Sequence, residues 1–491
     1  MEMIFMKLSA LLSGIPILRI LPTCTDNADV TAICDFSENA VPGCLFLCIP
    51  GVHTDGHLFV GDAVARGARY ILCEKITEEI MAIANTGKAI CILTESTRSA
   101  ASYVWSNRYD SPQNGMKIIA VTGTNGKTTV SHMLHAIYRA AGKKPLLLGT
   151  ITNTLTTPDP CDLFRLLREA RDNGTDTVIM EASSHALALR KLDAISPEFA
   201  VFTNLTPEHL DFHGTMEHYF RAKASLFQKA RYGIINADDS YASELARGSS
   251  AENRFYSAFR DDADFTAKNI RYQGTEGIRY ECLTRNHLFR ITSPIPGRFT
   301  VYNTLASVAC AYTDGIRSDC IRYALKGLYG IAGRLERIPL NRQDFSVYLD
   351  FAHTPDALEN VLRAVRCFMR QDQRLTVLFG CGGDRDRSKR AAMGAVAARL
   401  ADHLIVTSDN SRSEDPSDII DEILGGIPAQ KPHTVILNRR EAIEYACLNA
   451  TAGDVILLAG KGHETYEIDR TGKHPFSERE IVMDAVARRK S

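Results

Sequence analysis

The residues best suited to chemistry begin at Val121-Thr122-Gly123-Thr124-Asn125-Gly126-Lys127-Thr128-Thr129. Two glycines let the backbone turn tightly and aim successive N–H groups at an anion, Lys127 adds a point charge, and the Thr128 hydroxyl suits a nucleotide-bound Mg²⁺. That is the chemistry of holding a nucleoside triphosphate. A strict G-x-x-x-x-G-K-[ST] loop has glycine where this chain has Val121, so the loop is a variant. Other polar clusters recur downstream: Glu181-Ala182-Ser183-Ser184-His185, Thr203-Asn204-Leu205-Thr206, the alternating His209, Asp211 and His213, and Lys461-Gly462-His463-Glu464. Glu181, at the end of an apolar run, reads as a Mg²⁺ ligand. Arg385, Arg387 and Arg412 suit an anionic group, since a guanidinium grips a carboxylate with two hydrogen bonds. Lys223, within Tyr219 to Lys229, reads on residue type alone as a solvated helix lysine.

These groups need elements to hold them. Ile118 to Val121 is an apolar run ahead of the loop, and Val130, Met133, Leu134 and Ile137 share one helical face behind it, so the order is strand, loop, helix. Thr177 to Met180 and Phe199 to Phe202 are apolar without alternation, as strands of a parallel sheet are, and Ile234 to Asp239 repeats the pattern. Ligands of such sheets bind beyond the carboxyl ends of the strands, where the polar clusters lie. The more alternating Phe255 to Ile295 predicts antiparallel structure, and Asn303 to Tyr312 a helix. From Gly333 onward, Ser346 to Asp350, Thr376 to Gly380, His403 to Thr407 and Val455 to Ala459 predict a second α/β unit. Its Gly380-Cys381-Gly382-Gly383 is not a dinucleotide fingerprint, because Arg385 takes the place of the last glycine. Before the phosphate loop, Leu45 to Ile49 and Tyr70 to Cys73 read as strands, Phe59 to Arg66 as a helix, and Asp110 to Gly115 as a turn-rich break. The expected class is α/β in three domains: an N-terminal α/β domain over 1–111, a central P-loop domain with a parallel sheet over 112–332, and a C-terminal Rossmann-like domain over 333–491.

The 491 residues are 45% hydrophobic and 23% charged, with a net charge of −1, so no global basic field draws nucleic acid or an anionic membrane. No run approaches the ~20 apolar residues that span a bilayer, and Met1 to Arg19 lacks a long apolar core with a cleavage site. Met6 is an alternative start. Thirteen cysteines, without C-x-x-C pairs, read as reduced thiols of a cytoplasmic protein. Taken together, the residues predict an ATP-using, Mg²⁺-dependent enzyme. Activating a carboxylate for an amine suits them, and kinase and hydrolase chemistry remain open.

In order, T-G-T-N-G-K-T-T, E-A-S-S-H-A-L, T-N-L-T-P-E-H-L-D-F-H-G, Y-F-R-A-K-A-S-L-F, G-R-L-E, D-F-A-H-T-P-D, G-C-G-G-D-R-D and A-G-K-G-H-E-T-Y resemble the Mur ligases over nearly the whole chain. The resemblance is nearest the branch that lengthens UDP-N-acetylmuramoyl-L-alanyl-D-glutamate in peptidoglycan synthesis, a process that supports cell shape and division. It implies that ATP phosphorylates the D-glutamyl side-chain carboxylate and that an amino-acid amine attacks the acyl phosphate. It implies ATP contacts from Gly123 to Thr129, with Asn303, Arg334, Asp350 and His353 near the nucleotide. It implies Mg²⁺ on Thr128, Glu181, His209 and Lys223, with Lys223 carbamylated by CO₂, and Lys127, Lys223 and His209 as the catalytic set. Ser37, Val52, His53, Thr54, Thr156, Thr157, Ser183, Leu189 and Lys191 match UDP-sugar and peptide positions. Arg385, Asp409, Asn410, Ser411, Arg412, Gly460 and Glu464 match the amino-acid pocket. There the family's D-N-P-R accompanies meso-diaminopimelate; this chain has D-N-S-R and keeps the arginine, which favours meso-diaminopimelate over L-lysine. Departures fall on the sugar side, where Phe36-Ser37-Glu38 replaces D-S-R and Arg190-Lys191 replaces His-Arg. A paralogue acting on another acidic peptide and a non-catalytic nucleotide-binding module are the competing expectations. The protein is expected to act as a monomer, without nucleic acid or membrane insertion.

Overall fold

Apolar runs that alternate with amphipathic helices become parallel strands covered on both faces, and the computed structural model has this α/β character throughout. It describes residues 6–22, 29–51, 54–151, 155–340 and 343–489. Val52 and His53, two of the expected sugar-nucleotide contacts, lie outside the described residues. The chain divides into two units, one of 1–131, 142–235 and 239–254, the other of 132–141, 236–238 and 255–491.

The first unit carries two larger sheets and a two-stranded pair, Met6–Lys7 with Asp29–Val30. Near the N-terminus the strands run in the order Ile17–Leu21, Ile90–Thr94, Tyr70–Cys73, Leu45–Leu47, Ile33–Cys34, parallel except for the first pair. Asp110 and Ser111 then take left-handed backbone conformations, at the break expected there. In the second sheet Tyr232–Asn236, Phe199–Phe202, Lys117–Thr122, Thr177–Glu181 and Pro145–Leu148 lie side by side, all parallel. Lys117–Thr122 is therefore central, and its carboxyl end opens into the phosphate loop and the helix Lys127–Ala140. The polar ends of Thr177–Glu181 and Phe199–Phe202 flank it, because parallel strands of matched register end at the same edge of the sheet.

In the second unit Phe265–Tyr272, Ile278–Thr284 and Leu288–Ser293 form the expected antiparallel meander, beside the helix Arg298–Thr313. Downstream, the sheet order is Glu336–Arg337, Ser346–Asp350, Val455–Ala459, Leu375–Phe379, His403–Val406, His433–Val435, parallel except at its first strand. Its four central strands are buried on both faces between helices such as Pro355–Phe368 and Arg439–Leu448.

Candidate active site

In the first unit the phosphate loop is held by the strand end beside it. Gly123 has φ +144°, and a Cβ there would run into the Thr203 hydroxyl and the Asn204 backbone, so only glycine lets the two segments meet. Asn204 completes the junction: its carbonyl accepts from Thr124 N–H at 2.8 Å and its Oδ1 from Asn125 N–H at 3.0 Å. Thr203 Oγ1 donates to the Asn125 carbonyl at 2.6 Å. Lys127 Nζ lies over the loop, donating to the carbonyls of Gly123 and Thr124 at 2.9 and 2.7 Å. Thr129 follows Thr128 in the first turn of the helix.

Thr128 and Glu181 come together although 53 residues apart. Thr128 Oγ1 donates to Glu181 Oε2 at 3.0 Å, and Thr150 donates to the two carboxylate oxygens from N–H and Oγ1 at 3.0 and 3.2 Å. Glu181 is only 1% exposed. A buried carboxylate oxygen beside a hydroxyl is a hard-oxygen donor pair, the type Mg²⁺ takes when phosphates and water complete its six positions. The two residues therefore fit that ion.

Lys223 overturns the expectation drawn from its residue type. It ends the helix Met216–Ala224, is 1% exposed, and donates to the Gly123 carbonyl at 2.9 Å, with its ammonium position 4.5 Å from the Tyr219 ring centroid. Burial, with Lys127 nearby, pushes its pKa well below the ordinary lysine value. A neutral amine is the form that adds CO₂, so this environment fits a carbamylated lysine. Tyr219, which residue type did not single out, links the same parts: its hydroxyl lies 3.1 Å from Thr124 Oγ1.

A cavity of about 270 Å³ joins these groups to expected substrate residues. Lys127, Lys223 and His209 line it with Thr156, Thr157, Ser183 and Lys191, and so do Leu155, Ser184, His185, Ala186 and Tyr219. Thr157 Oγ1 bonds the Glu181 carbonyl at 2.8 Å and accepts from Ser183 N–H at 3.1 Å, while Ser183 caps the helix Ser184–Ala188. Thr156 Oγ1 is 3.1 Å from Thr150 Oγ1. His209 stands at φ +56° before the short helix Leu210–His213, its ring edge-on to His185 at 4.8 Å. Lys191 pairs with Asp159 at 2.6 Å. Ser37, Thr54 and Leu189 do not line this cavity: Ser37 opens a 3₁₀ turn in the N-terminal part, the Thr54 carbonyl accepts from Gly51 N–H, and Leu189 closes the helix Ser184–Ala188.

The second unit gathers the other expected groups. Asp350, at a strand end, accepts from Leu335 N–H at 2.7 Å and Ala352 N–H at 2.9 Å, and burial raises its pKa. Arg334 lies over the Phe351 ring at 5.8 Å, His353 Nδ1 is 2.9 Å from the Phe351 carbonyl, and Asn303 is buried in the helix Arg298–Thr313. Asp409, Asn410 and Ser411 are buried. Asn410 Nδ2 donates to Glu464 Oε2 at 2.9 Å and Lys461 Nζ to Asn410 Oδ1 at 2.9 Å. Lys461, from the last of the polar clusters, is wholly buried beside Asp409, at 3.7 Å. Gly460 is at φ +116°, and a Cβ there would come 2.6 Å from Asp409 Oδ2. Arg412, at φ +51°, donates to the Gly383 carbonyl at 2.7 Å, and exposed Arg385 also lies near Gly382. Sequence reasoning missed the buried Arg439, which donates to the carbonyls of Ser408 and Ala459 and to Glu478, so tying the two strand ends that lead into Asp409 and Gly460. An arginine early in a helix gives no local sign of such a contact.

Comparison with known proteins identifies the family. Residues 121–311 match the family described as the Mur ligase middle domain, and residues 333–462 the Mur ligase glutamate ligase domain. A UDP-N-acetylmuramoyl-L-alanyl-D-glutamate–2,6-diaminopimelate ligase of Syntrophomonas wolfei is 38% identical, over 93% of this chain and 94% of the relative. A ligase of the same description from Synechococcus elongatus is 39% identical over 99% and 100%. A solved structure so described superposes with a TM-score of 0.71 at 29% identity, covering 99% of this chain and 100% of the other. The variant loop, the strand-end carboxylate and the buried lysine thus stand in a protein that belongs to the Mur ligase family.

Proposed function

We propose that the protein is an ATP-dependent ligase that joins meso-diaminopimelate to the D-glutamyl side-chain carboxylate of UDP-N-acetylmuramoyl-L-alanyl-D-glutamate. The observation that carries this reading is the single cavity shared by Lys127, Lys223 and His209 with Thr156, Thr157, Ser183 and Lys191. In it Lys127, Lys223 and His209, read as phosphate- and metal-binding groups, lie with hydroxyls able to hold a peptide carboxylate. The two relatives are ligases named for the same two substrates.

In this reading the backbone from Gly123 to Thr129 and Lys127 hold the ATP phosphates, with Asn303, Arg334 and Asp350 on the nucleotide. A carboxylate oxygen attacks the γ-phosphorus and ADP leaves. The amine of the incoming amino acid then attacks the acyl carbon, loses a proton, and inorganic phosphate departs as the amide forms. Thr128 and Glu181 would hold one Mg²⁺, and His209 with carbamylated Lys223 a second; bound Mg²⁺ neutralises charge on the transferring phosphoryl group. Lys127 adds positive charge beside the same oxygens, and Thr156, Thr157, Ser183 and Lys191 orient the acceptor, so that proximity lowers the barrier. Ser37, Val52, His53, Thr54 and Leu189 would hold the UDP-sugar. Arg385, Asp409 to Arg412, Gly460 and Glu464 would hold the amino acid, with Arg412 pairing the carboxylate that lysine lacks.

We assign the domains 1–111, 112–332 and 333–491 to acceptor, ATP and amino acid. We place the protein in the cytoplasm, as a monomer, where both the nucleotide-activated acceptor and ATP are available. Among the described residues no helix is long and apolar enough to cross a membrane, and the described cysteines form no disulfide with one another. The deciding experiment is an amino-acid panel. With ATP, Mg²⁺ and UDP-muramoyl-dipeptide, phosphate release should require meso-diaminopimelate. Equal turnover with L-lysine would overturn the amino-acid assignment, and ATP binding without binding of the UDP-dipeptide would overturn the acceptor.

A further inference from the structure

We propose that a basic cleft in the second unit, formed by the antiparallel meander and the helix Ser318–Gly327, binds a compact oligophosphate anion. None of its residues belongs to the two clusters described above.

The strand Ile278–Thr284 alternates strictly. Ile278, Tyr280 and Cys282 are buried, which turns Arg279 to the exposed face. The register then sets Arg271 of the preceding strand directly opposite Arg279, and Arg279 opposite Thr292 of the following one, with Arg290 two positions along. Like charges at opposed positions of a sheet repel. The helix adds to this face rather than neutralising it. With Ile321, Ala324 and Leu325 buried on its inner side, spacings of three and four bring Asp319, Arg322, Tyr323 and Lys326 onto the cleft. The cleft holds about 390 Å³, within the range of small-molecule sites.

Four cations line the cleft, Arg279, Arg290, Arg322 and Lys326, with Arg271 opposite Arg279 beside it, and two acids pair with them: Asp319 is 3.5 Å from Arg322 and Glu281 is 3.8 Å from Arg290. Among the described residues Arg271, Arg279 and Lys326 have no acidic partner. The whole chain carries a net charge of only −1, so this excess is local. The form of the cleft selects the ligand. Cations on the strands and on the helix line one half-open cleft, so a small, multiply charged anion meets donors from two sides. A flat anionic surface would reach only the rim. Arginine forks match phosphate oxygens in pairs, and exposed Tyr323 can lay its ring on an organic group carried by the anion.

The test is calorimetric titration of inorganic tripolyphosphate into the full chain, with the phosphate loop already saturated by a non-hydrolysable ATP analogue. A further binding event is expected, weakening as salt rises. The double variant Arg279→Gln/Lys326→Gln should weaken it by about tenfold or more, leaving Tm and ATP-analogue binding unchanged, whereas Arg363→Gln/Arg370→Gln elsewhere in the unit should not affect it. No heat beyond the filled loop, or equal binding by both double variants, would overturn the proposal.

Discussion

Lys223 donates to the carbonyl of Gly123 at 2.9 Å, which ties the last turn of one helix to the first glycine of the phosphate loop 100 residues earlier. A buried amine at that place costs the fold, since burial disfavours its ammonium form. Such a cost is retained where the group has work in the site. Lys223→Ala should lower ligation by about 10² or more, and short carboxylic acids should restore part of it by supplying the missing oxygen pair. Depleting CO₂ should slow the wild type and leave the variant unchanged. Turnover of the unrescued variant within a few-fold of wild type would remove Lys223 from the mechanism.

The Thr128–Glu181 contact predicts a different phenotype. Glu181→Gln preserves shape and the acceptor oxygen for Thr128 but removes the charge that a divalent cation needs. The Mg²⁺ concentration for half-maximal rate should rise about tenfold or more, while binding of metal-free ATP to the loop is retained. A Mg²⁺ titration at saturating substrates separates this from loss of nucleotide binding; an unchanged Mg²⁺ requirement would exclude Glu181 as a ligand.

Much of this architecture is legible in local pattern. Lys117–Thr122, Thr177–Glu181 and Phe199–Phe202 are apolar without alternation and end in polar residues, so both their sheet and the edge that gathers the ligand groups follow from the sequence. What local pattern does not carry is contact between distant segments. Nothing near Lys223 in the chain says that Gly123, 100 residues earlier, will take its hydrogen bond, and its helical setting argued for solvent. Asn204 holds the backbone of Thr124 and Asn125, and Arg439 holds two strand ends, through bonds that exist only once the sheets form. Left-handed backbone at Arg412 and His209, both non-glycine, is likewise imposed by tertiary structure.

Arg412 and Arg385 both lie near Gly382 and are held differently. Arg412 is anchored on the Gly383 carbonyl with its guanidinium oriented, whereas Arg385 is exposed. An anchored fork discriminates, because the carboxylate must come to it in one geometry. Arg412→Ala should therefore raise KM for meso-diaminopimelate by about 10- to 100-fold and bring its kcat/KM close to that for L-lysine. Arg412→Lys should recover less than half of the lost discrimination free energy. Arg385→Ala should raise KM less. Undiminished preference in Arg412→Ala would move selectivity to another residue.

The loop bearing Arg412 is held by a charge cluster that should fail in acid. Fully buried Arg390 donates from Nη1 and Nη2 to both oxygens of Glu414 at 2.9 Å and reaches Glu422 at 3.0 Å. Glu414 also accepts from Asp384 N–H, and Asp384 in turn accepts from Ser413 N–H and Oγ, so the Gly382 and Arg412 loops are fastened together. The Arg390 hydrogen bonds depress the Glu414 pKa from 4.5 to about 2. The native state therefore binds fewer protons than the unfolded chain between these values, and stability falls as pH falls through this window. The contribution is fully present above pH 4.5 and gone near pH 2. Glu414→Gln should lower Tm by about 2–4 °C at neutral pH, with the gap from wild type closing as pH drops from 4.5 toward 2. Thermal melts of both proteins across that range check the sign: a gap that stays constant or widens in acid would show that the carboxylate charge does not fasten these loops.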